Sequence, residues 1–177
     1  MINKFNYYFV TLIIFGDSVE KYRGTWASLF TVLFLFTIIY FLKISIFIVT
    51  ILFFIILFYS YFAIASSLKN FKDSDPQEIV IDEFVGQSIP IILFEIFHGD
   101  RNYSVYEALQ IYFWFFLLFR VFDGLKPFPI DYVDKKFKNT FGILFDDILA
   151  GFYVVLCLIL FMVGKTYLLQ WNKLVKI

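Results

Sequence analysis

The sequence predicts an all-α integral membrane protein, a polytopic bundle of about five transmembrane helices with a short N-terminal interfacial segment. Three observations carry this. Of 177 residues, 61% are hydrophobic and 24% aromatic, 27 of them Phe, and the mean hydropathy is +0.80. A soluble domain of this size needs more polar surface than that composition provides. Residues 26–42 and 44–68 are uncharged runs separated only by Lys43, and a helix crosses a bilayer with about 20 apolar residues. As a single helix, 26–68 would be about 64 Å long at ~1.5 Å per residue, twice the ~30 Å hydrocarbon core. The chain must therefore turn back near Lys43.

The predicted spans are 26–42, 44–64, 79–97, 105–122 and 143–163. The apolar stretch 5–15 is too short to cross and lacks a small-residue cleavage pattern, so it is expected to lie at the interface or re-enter, with Tyr7 and Tyr8 at headgroup level. Pro90 falls inside the third span, where a kink is expected. Pro127 and Pro129 should stop the fourth soon after Phe122. Neither an internal repeat nor a low-complexity linker divides the chain, so residues 1–177 read as a single membrane-embedded domain. The single cysteine, Cys157, lies in an apolar run and has no partner for an intrachain disulfide or a metal site. A net charge of zero gives no reason to expect a nucleic-acid partner.

With five spans, ten basic residues fall on one side of the membrane, from Lys4, Lys21 and Arg23 to Lys135, Lys136 and Lys138. Five fall on the other: Lys43, Arg101, Lys165, Lys173 and Lys176. That asymmetry places the first side in the cytoplasm. Most carboxylates fall on the same side, and three segments deliver them to one depth. Asp82 and Glu83 begin the third span, Asp123 follows the fourth, and Asp146 and Asp147 begin the fifth. Asp82 and Asp146 are each about 5 Å below a helix start.

Carboxylates there are costly unless paired or bound to a cation, and crowding makes them repel. A divalent cation resolves both problems. The donors are all oxygen, with no Cys or nearby His, which favours Mg²⁺ or Mn²⁺ over zinc. Arg120, Asp123 and Lys126 are spaced to share one helix face, and helix N-termini near 79 and 143 add partial positive charge. A phosphate held by Mg²⁺, Arg120 and Lys126 suits this environment, and a phospholipid in the bilayer presents its phosphate at that depth. Glu83 and Asp147 are the candidates for orienting or deprotonating an attacking water. Pairing of the acids with Arg120, Lys126 and the 135–138 lysines is the structural alternative.

The motifs GTWASL (24–29), DPQEIVIDEFVG (75–86), FRVFDGLKPFPI (119–130) and FGILFDDILAG (141–151) resemble, in order and spacing, those of the phosphatidylglycerophosphatase A family. The resemblance runs over about 24–163. It implies a Mg²⁺-dependent lipid phosphatase of the bacterial inner membrane, converting phosphatidylglycerophosphate to phosphatidylglycerol, with its active site facing the cytoplasm. Carried over by motif, the acids are Asp82, Glu83, Asp123, Asp146 and Asp147, with Asp75 and Glu78 as further candidates. Thr25 of the first motif joins Arg120 and Lys126 as an expected phosphate contact. Two stretches depart from the family pattern: Arg23-Gly24-Thr25-Trp26-Ala27-Ser28 lacks its prolines, and Asn139-Thr140-Phe141-Gly142 replaces a Gly-Gly-like run.

Other phosphatase chemistries fit poorly. Cys157 lies mid-span, the only histidine, His98, belongs to the opposite side, and the DSD at 73–75 sits in a loop. A CDP-alcohol phosphotransferase would need an Ala-Arg that DGLKPF (123–128) lacks. A cation transporter or channel-type protein using the acids as an ion site would need polar groups across the membrane, and the opposite half offers little beyond Glu95 and Glu107.

Overall fold

The computed structural model describes residues 4–12, 22–69, 71, 76–98 and 103–175, with side chains to residue 168. Among these residues the chain is helical, with no strand. Helix α1 (Lys4–Val10) is followed by α2 (Arg23–Phe36), which runs into a π-helical turn (Thr37–Phe41). Then come α3 (Ile46–Leu68), α4 (Ile81–His98), α5 (Val105–Leu125), α6 (Ile130–Lys136) and α7 (Thr140–Val175). Four stretches are long and apolar enough to cross a membrane: Arg23–Phe41, Ile46–Leu68, Val105–Leu125 and Thr140–Leu168.

The reversal expected near Lys43 is there: Lys43 adopts φ 52 between the π-helical turn and α3. Helix α5 starts on a reciprocal cap in the sequence Ser-Val-Tyr-Glu. Glu107 N donates to Ser104 Oγ (3.3 Å) while Ser104 N donates to Glu107 Oε2 (2.9 Å). It ends at Leu125, where Lys126 turns left-handed (φ 44) and its N–H donates to the Phe122 carbonyl before Pro127. Asn139 starts α7, its Oδ1 accepting from Gly142 N at 3.1 Å.

The predicted span 79–97 takes shape as α4, which continues through Pro90. Unlike the other long helices it is enclosed: α2, α3, α5 and α7 all pack against it, and twelve of its eighteen residues are buried. Helix α3 is the opposite case. It is apolar all round and shows Phe47, Ile51, Phe54, Ile55, Phe58 and Phe62 on its surface, as a helix facing lipid does.

Helices α4 and α7 meet at glycines. A Cβ on Gly151 would lie 2.4 Å from the Gly86 carbonyl oxygen, and one on Gly86 2.5 Å from that of Asp147. Small residues let membrane helices approach backbone to backbone, and here the approach brings Asp147 beside the first turn of α4. The short α1 packs against α3. Tyr59 Oη donates to Asn6 Oδ1 (2.6 Å), tying α1 to α3, and Val80 N donates to the Val10 carbonyl (2.9 Å), tying α1 to the entrance of α4. Residues 13–15 of the predicted interfacial stretch lie outside the described residues.

At the far end of α4, Glu95 is buried and accepts from Tyr112 Oη (2.9 Å) and Tyr40 Oη (3.1 Å). This knot pins the π-helical turn and α5 to the central helix. His98 closes α4 at that end, stacked on Phe94 with ring centroids 4.9 Å apart.

Candidate active site

Four helices, α2, α4, α5 and α7, contribute to one cavity of about 310 Å³ at the end of the bundle opposite His98. The first turn of α2 brings Arg23 and Gly24, the first turn of α4 Asp82 and Glu83, and the last turns of α5 Arg120 and Asp123. Lys126 follows from the α5 cap, and the second turn of α7 adds Asp146 and Asp147. The five carboxylates expected from the sequence thus surround one space, with Arg120 and Lys126 among them.

Carboxylate oxygens of Asp82, Glu83 and Asp147 lie within 4.8 Å of one another. Two ionised carboxylates at that separation repel by about 3–4 kcal/mol at an effective dielectric constant of ~20. Asp146 and Asp147 are buried, and one oxygen each of Asp82 (Oδ1) and Glu83 (Oε2) is buried and accepts no hydrogen bond among the described residues. An all-oxygen set with unused lone pairs and mutual repulsion fits a hard divalent cation such as Mg²⁺.

The basic residues are tied to the acids at the rim. Arg120 Nη1 pairs with Asp123 Oδ2 at 2.7 Å and reaches Ser28 Oγ at 3.5 Å. Lys126 Nζ lies 2.8 Å from Asp146 Oδ2 and 3.1 Å from Asp134 Oδ1, and Lys138 Nζ adds a third ion pair to Asp134 at 3.3 Å. Burial works against the Lys126 ammonium, but Asp146 and Asp134 outweigh it and hold its pKa above the usual lysine value. Burial likewise opposes ionisation of Asp134, and contacts with Lys126 and Lys138 overcome it, keeping that carboxyl below its usual range.

Two of the expected residues lie off the cavity lining. Thr25 is half-buried on α2, and Glu78 pairs with Arg23 at 3.5 Å. Asp75 falls outside the described residues. Three further residues were not singled out from the sequence. Asp134 on α6 holds Lys126; the signal for it was weak, one acid among several charges in a connecting segment. Gly24 is where Glu83 Oε1 nests: a Cβ there would lie 2.0 Å from that oxygen and 3.3 Å from Arg120 Nη1. Gln87 is fully buried, and neither Nε2 nor Oε1 has a hydrogen-bond partner among the described residues. A polar amide one turn past Glu83 inside an apolar span was a readable signal.

Comparison with known proteins bears on this site. The family model described as phosphatidylglycerophosphatase A matches residues 8–162. The chain is 44% identical over 82 residues to phosphatidylglycerophosphatase A of Haemophilus influenzae, covering 46% of this chain and 44% of that protein. It is 33% identical over 90 residues to phosphatidylglycerophosphatase A of Escherichia coli, covering 51% and 45%. The matched region therefore spans less than half the length of these two relatives. A putative phosphatidylinositol-3-phosphatase of Bacteroides thetaiotaomicron is 28% identical over 141 residues, covering 78% of this chain and 83% of that protein. No solved structure matches.

Proposed function

Because this chain belongs to the phosphatidylglycerophosphatase A family, we propose that it hydrolyses phosphatidylglycerophosphate to phosphatidylglycerol and inorganic phosphate. The reaction would be a step of phospholipid synthesis in a bacterial inner membrane, with the cavity facing the cytoplasm. One observation carries the reading: five carboxylates and three basic residues, Arg23, Arg120 and Lys126, surround a single cavity at one end of an apolar helical bundle. A lipid phosphate reaches that depth without leaving the bilayer.

Asp82, Glu83 and Asp147 are the residues that would hold Mg²⁺, with Asp123 and Asp146 beside them. When bound, the ion supplies the charge that offsets what builds up on the phosphoryl oxygens. The chain's own groups do the rest. Lys126 uses two of its three ammonium donors on Asp146 and Asp134, and Arg120 keeps N–H groups beyond those facing Asp123 and Ser28, so both can bind phosphoryl oxygens. A water attacks phosphorus in line with the glycerol oxygen. Its proton passes to whichever of Glu83 and Asp147 is not engaged by the metal, the bond to the glycerol oxygen breaks, and that oxygen leaves as a hydroxyl after taking a proton from solvent.

The test is phosphate release by purified protein in detergent, with Mg²⁺, with chelator, and with Asp82→Asn in parallel. Phosphatidylglycerophosphate, phosphatidic acid and phosphatidylinositol 3-phosphate are compared; the last is included because of the name carried by the Bacteroides thetaiotaomicron relative. Release from the first lipid that needs both the metal and Asp82 supports the reading. Folded protein that leaves all three lipids intact ends it, and cation transport is then the reading to assay.

A further inference from the structure

The Gln87 amide is buried inside a membrane bundle with both polar atoms unpartnered among the described residues, an arrangement that costs free energy unless some state of the protein uses them. Its surroundings narrow what that state is. Gln87 lies four residues after Glu83 on α4, so the two side chains share a helix face one turn apart. Long helical side chains lean back over the turn that precedes them, which sends the Gln87 amide toward Glu83. Hydroxyls on α2 and α4 already donate within their own helices. Ser28 Oγ donates to the Gly24 carbonyl (2.8 Å), Thr31 Oγ1 to that of Ala27 (2.8 Å), and Ser88 Oγ to that of Phe84 (2.7 Å).

The Glu83 carboxylate has two unlike oxygens. Oε1 lies against Gly24 and near Arg120, two residues of the cavity wall. Oε2 is buried and accepts nothing among the described residues. Among those residues, Gln87 Nε2 is also the one buried side-chain nitrogen without a partner. An unused, buried acceptor and an unused, buried donor therefore stand one turn apart on the same helix.

We propose that Gln87 is a positioning residue for Glu83, its Nε2 donating to Oε2 when a cation draws the other carboxylate oxygen toward the cavity. The hydrogen bond fixes the carboxylate's rotation about its terminal torsion and sets which oxygen the cation meets. This rests on the metal-assisted reading of the site given above.

The experiment measures Mn²⁺ binding to the full chain in detergent by the electron paramagnetic resonance of free Mn²⁺, beside metal-free thermal unfolding and lipid phosphate release. Gln87→Leu and Gln87→Met keep the volume and remove the donor. The expected result is Mn²⁺ affinity reduced about 10–100-fold, the range for lost outer-shell hydrogen bonds. The metal-free unfolding temperature should be unchanged or higher, and kcat lower with KM for lipid unchanged. In a Glu83→Gln background the Gln87 substitutions should add nothing to the loss of Mn²⁺ affinity. Folded variants that bind Mn²⁺ within twofold of the parent overturn the proposal, as does loss of fold in both, which would mark Gln87 as structural. A parent chain that binds no Mn²⁺ overturns the metal reading itself; one that binds Mn²⁺ but releases no phosphate overturns only the activity.

Discussion

Gly24→Ala should separate activity from stability more cleanly than removing a carboxylate. Gly24 is in the first turn of α2, and no backbone strain requires glycine there, since the described glycines all lie outside the left-handed region. Alanine in a helix is favoured over glycine by about 0.5–1 kcal/mol. The new methyl carbon would stand 2.0 Å from Glu83 Oε1, and an ordinary contact begins near 3.4 Å, so that oxygen must retreat by about 1.4 Å. What retreats is the end of a flexible side chain, so the fold gives way cheaply. The cost falls on chemistry: a misplacement of about 1 Å at a reacting group can lower the rate about 100-fold, or roughly 2.7 kcal/mol in the barrier. The assay is Mg²⁺-dependent phosphate release from phosphatidylglycerophosphate, read beside thermal unfolding in the same detergent. Activity down by one to two orders of magnitude at an unchanged melting temperature is expected, with partial recovery on adding Glu83→Asp, which shortens the displaced arm. A variant that keeps half the parent rate would show that the chemistry tolerates this shift of Glu83 Oε1 and does not depend on where Gly24 seats it.

Gly151→Ala acts on the fold instead: its methyl meets the Gly86 backbone at 2.4 Å, which no rotamer can relieve. Overpacking of this kind costs about 1–3 kcal/mol, so a clear drop in melting temperature is expected and an unchanged one would count against the backbone contact. Asp134 is held below its usual range by Lys126 and Lys138, so its contribution to stability is complete above about pH 4 and is lost as pH falls through its lowered folded value. Asp134→Asn should flatten the acid limb of the melting-temperature profile; a profile that overlays the parent's would remove the ion pairs from the account. Tyr112→Phe leaves Glu95 with Tyr40 alone and should cost about 1 kcal/mol. Lipid phosphatase activity should survive it, since Glu95 is about 18 Å along the helix from Glu83 by helical rise; a lost activity would mean the two ends are coupled. Ser104→Ala should cost about 1 kcal/mol through the lost cap, checked by denaturant or thermal unfolding.

Much of this architecture was readable because bilayer thickness leaves a long apolar run few choices. The runs on either side of Lys43 had to fold back, and Lys43 does take the left-handed turn residue's conformation. The cap at Ser104–Glu107 and the stop after Leu125 follow from local chemistry, which a sequence displays. The gathering of Asp82, Glu83, Asp123, Asp146 and Asp147 was legible for a similar reason: once hairpins were placed, helix ends fixed their depth. What the sequence did not display depends on rotation and packing. Whether α4 faces lipid or neighbours is decided by four other helices. Lys126 sits one residue past a helix end, where a long arm can reach many partners; only the folded α6 shows that Asp134 is one of them. The part played by Gly24 exists only because Glu83 arrives from a distant segment.

The enclosure of α4 has a consequence for how the protein is made. With Asp82, Glu83, Glu95 and Gln87, this helix carries four polar groups that lipid cannot satisfy, and its glycine face is shaped for another backbone. It emerges from synthesis before α5 and α7, the helices that cover much of it. Its insertion is therefore a joint act with its neighbours, and α7 comes last, bringing Asp146, Asp147 and the closing contact at Gly151 together. A chain cut short before that helix would lack two of its five cavity carboxylates as well as the cover over Gly86, leaving its central helix with an open face.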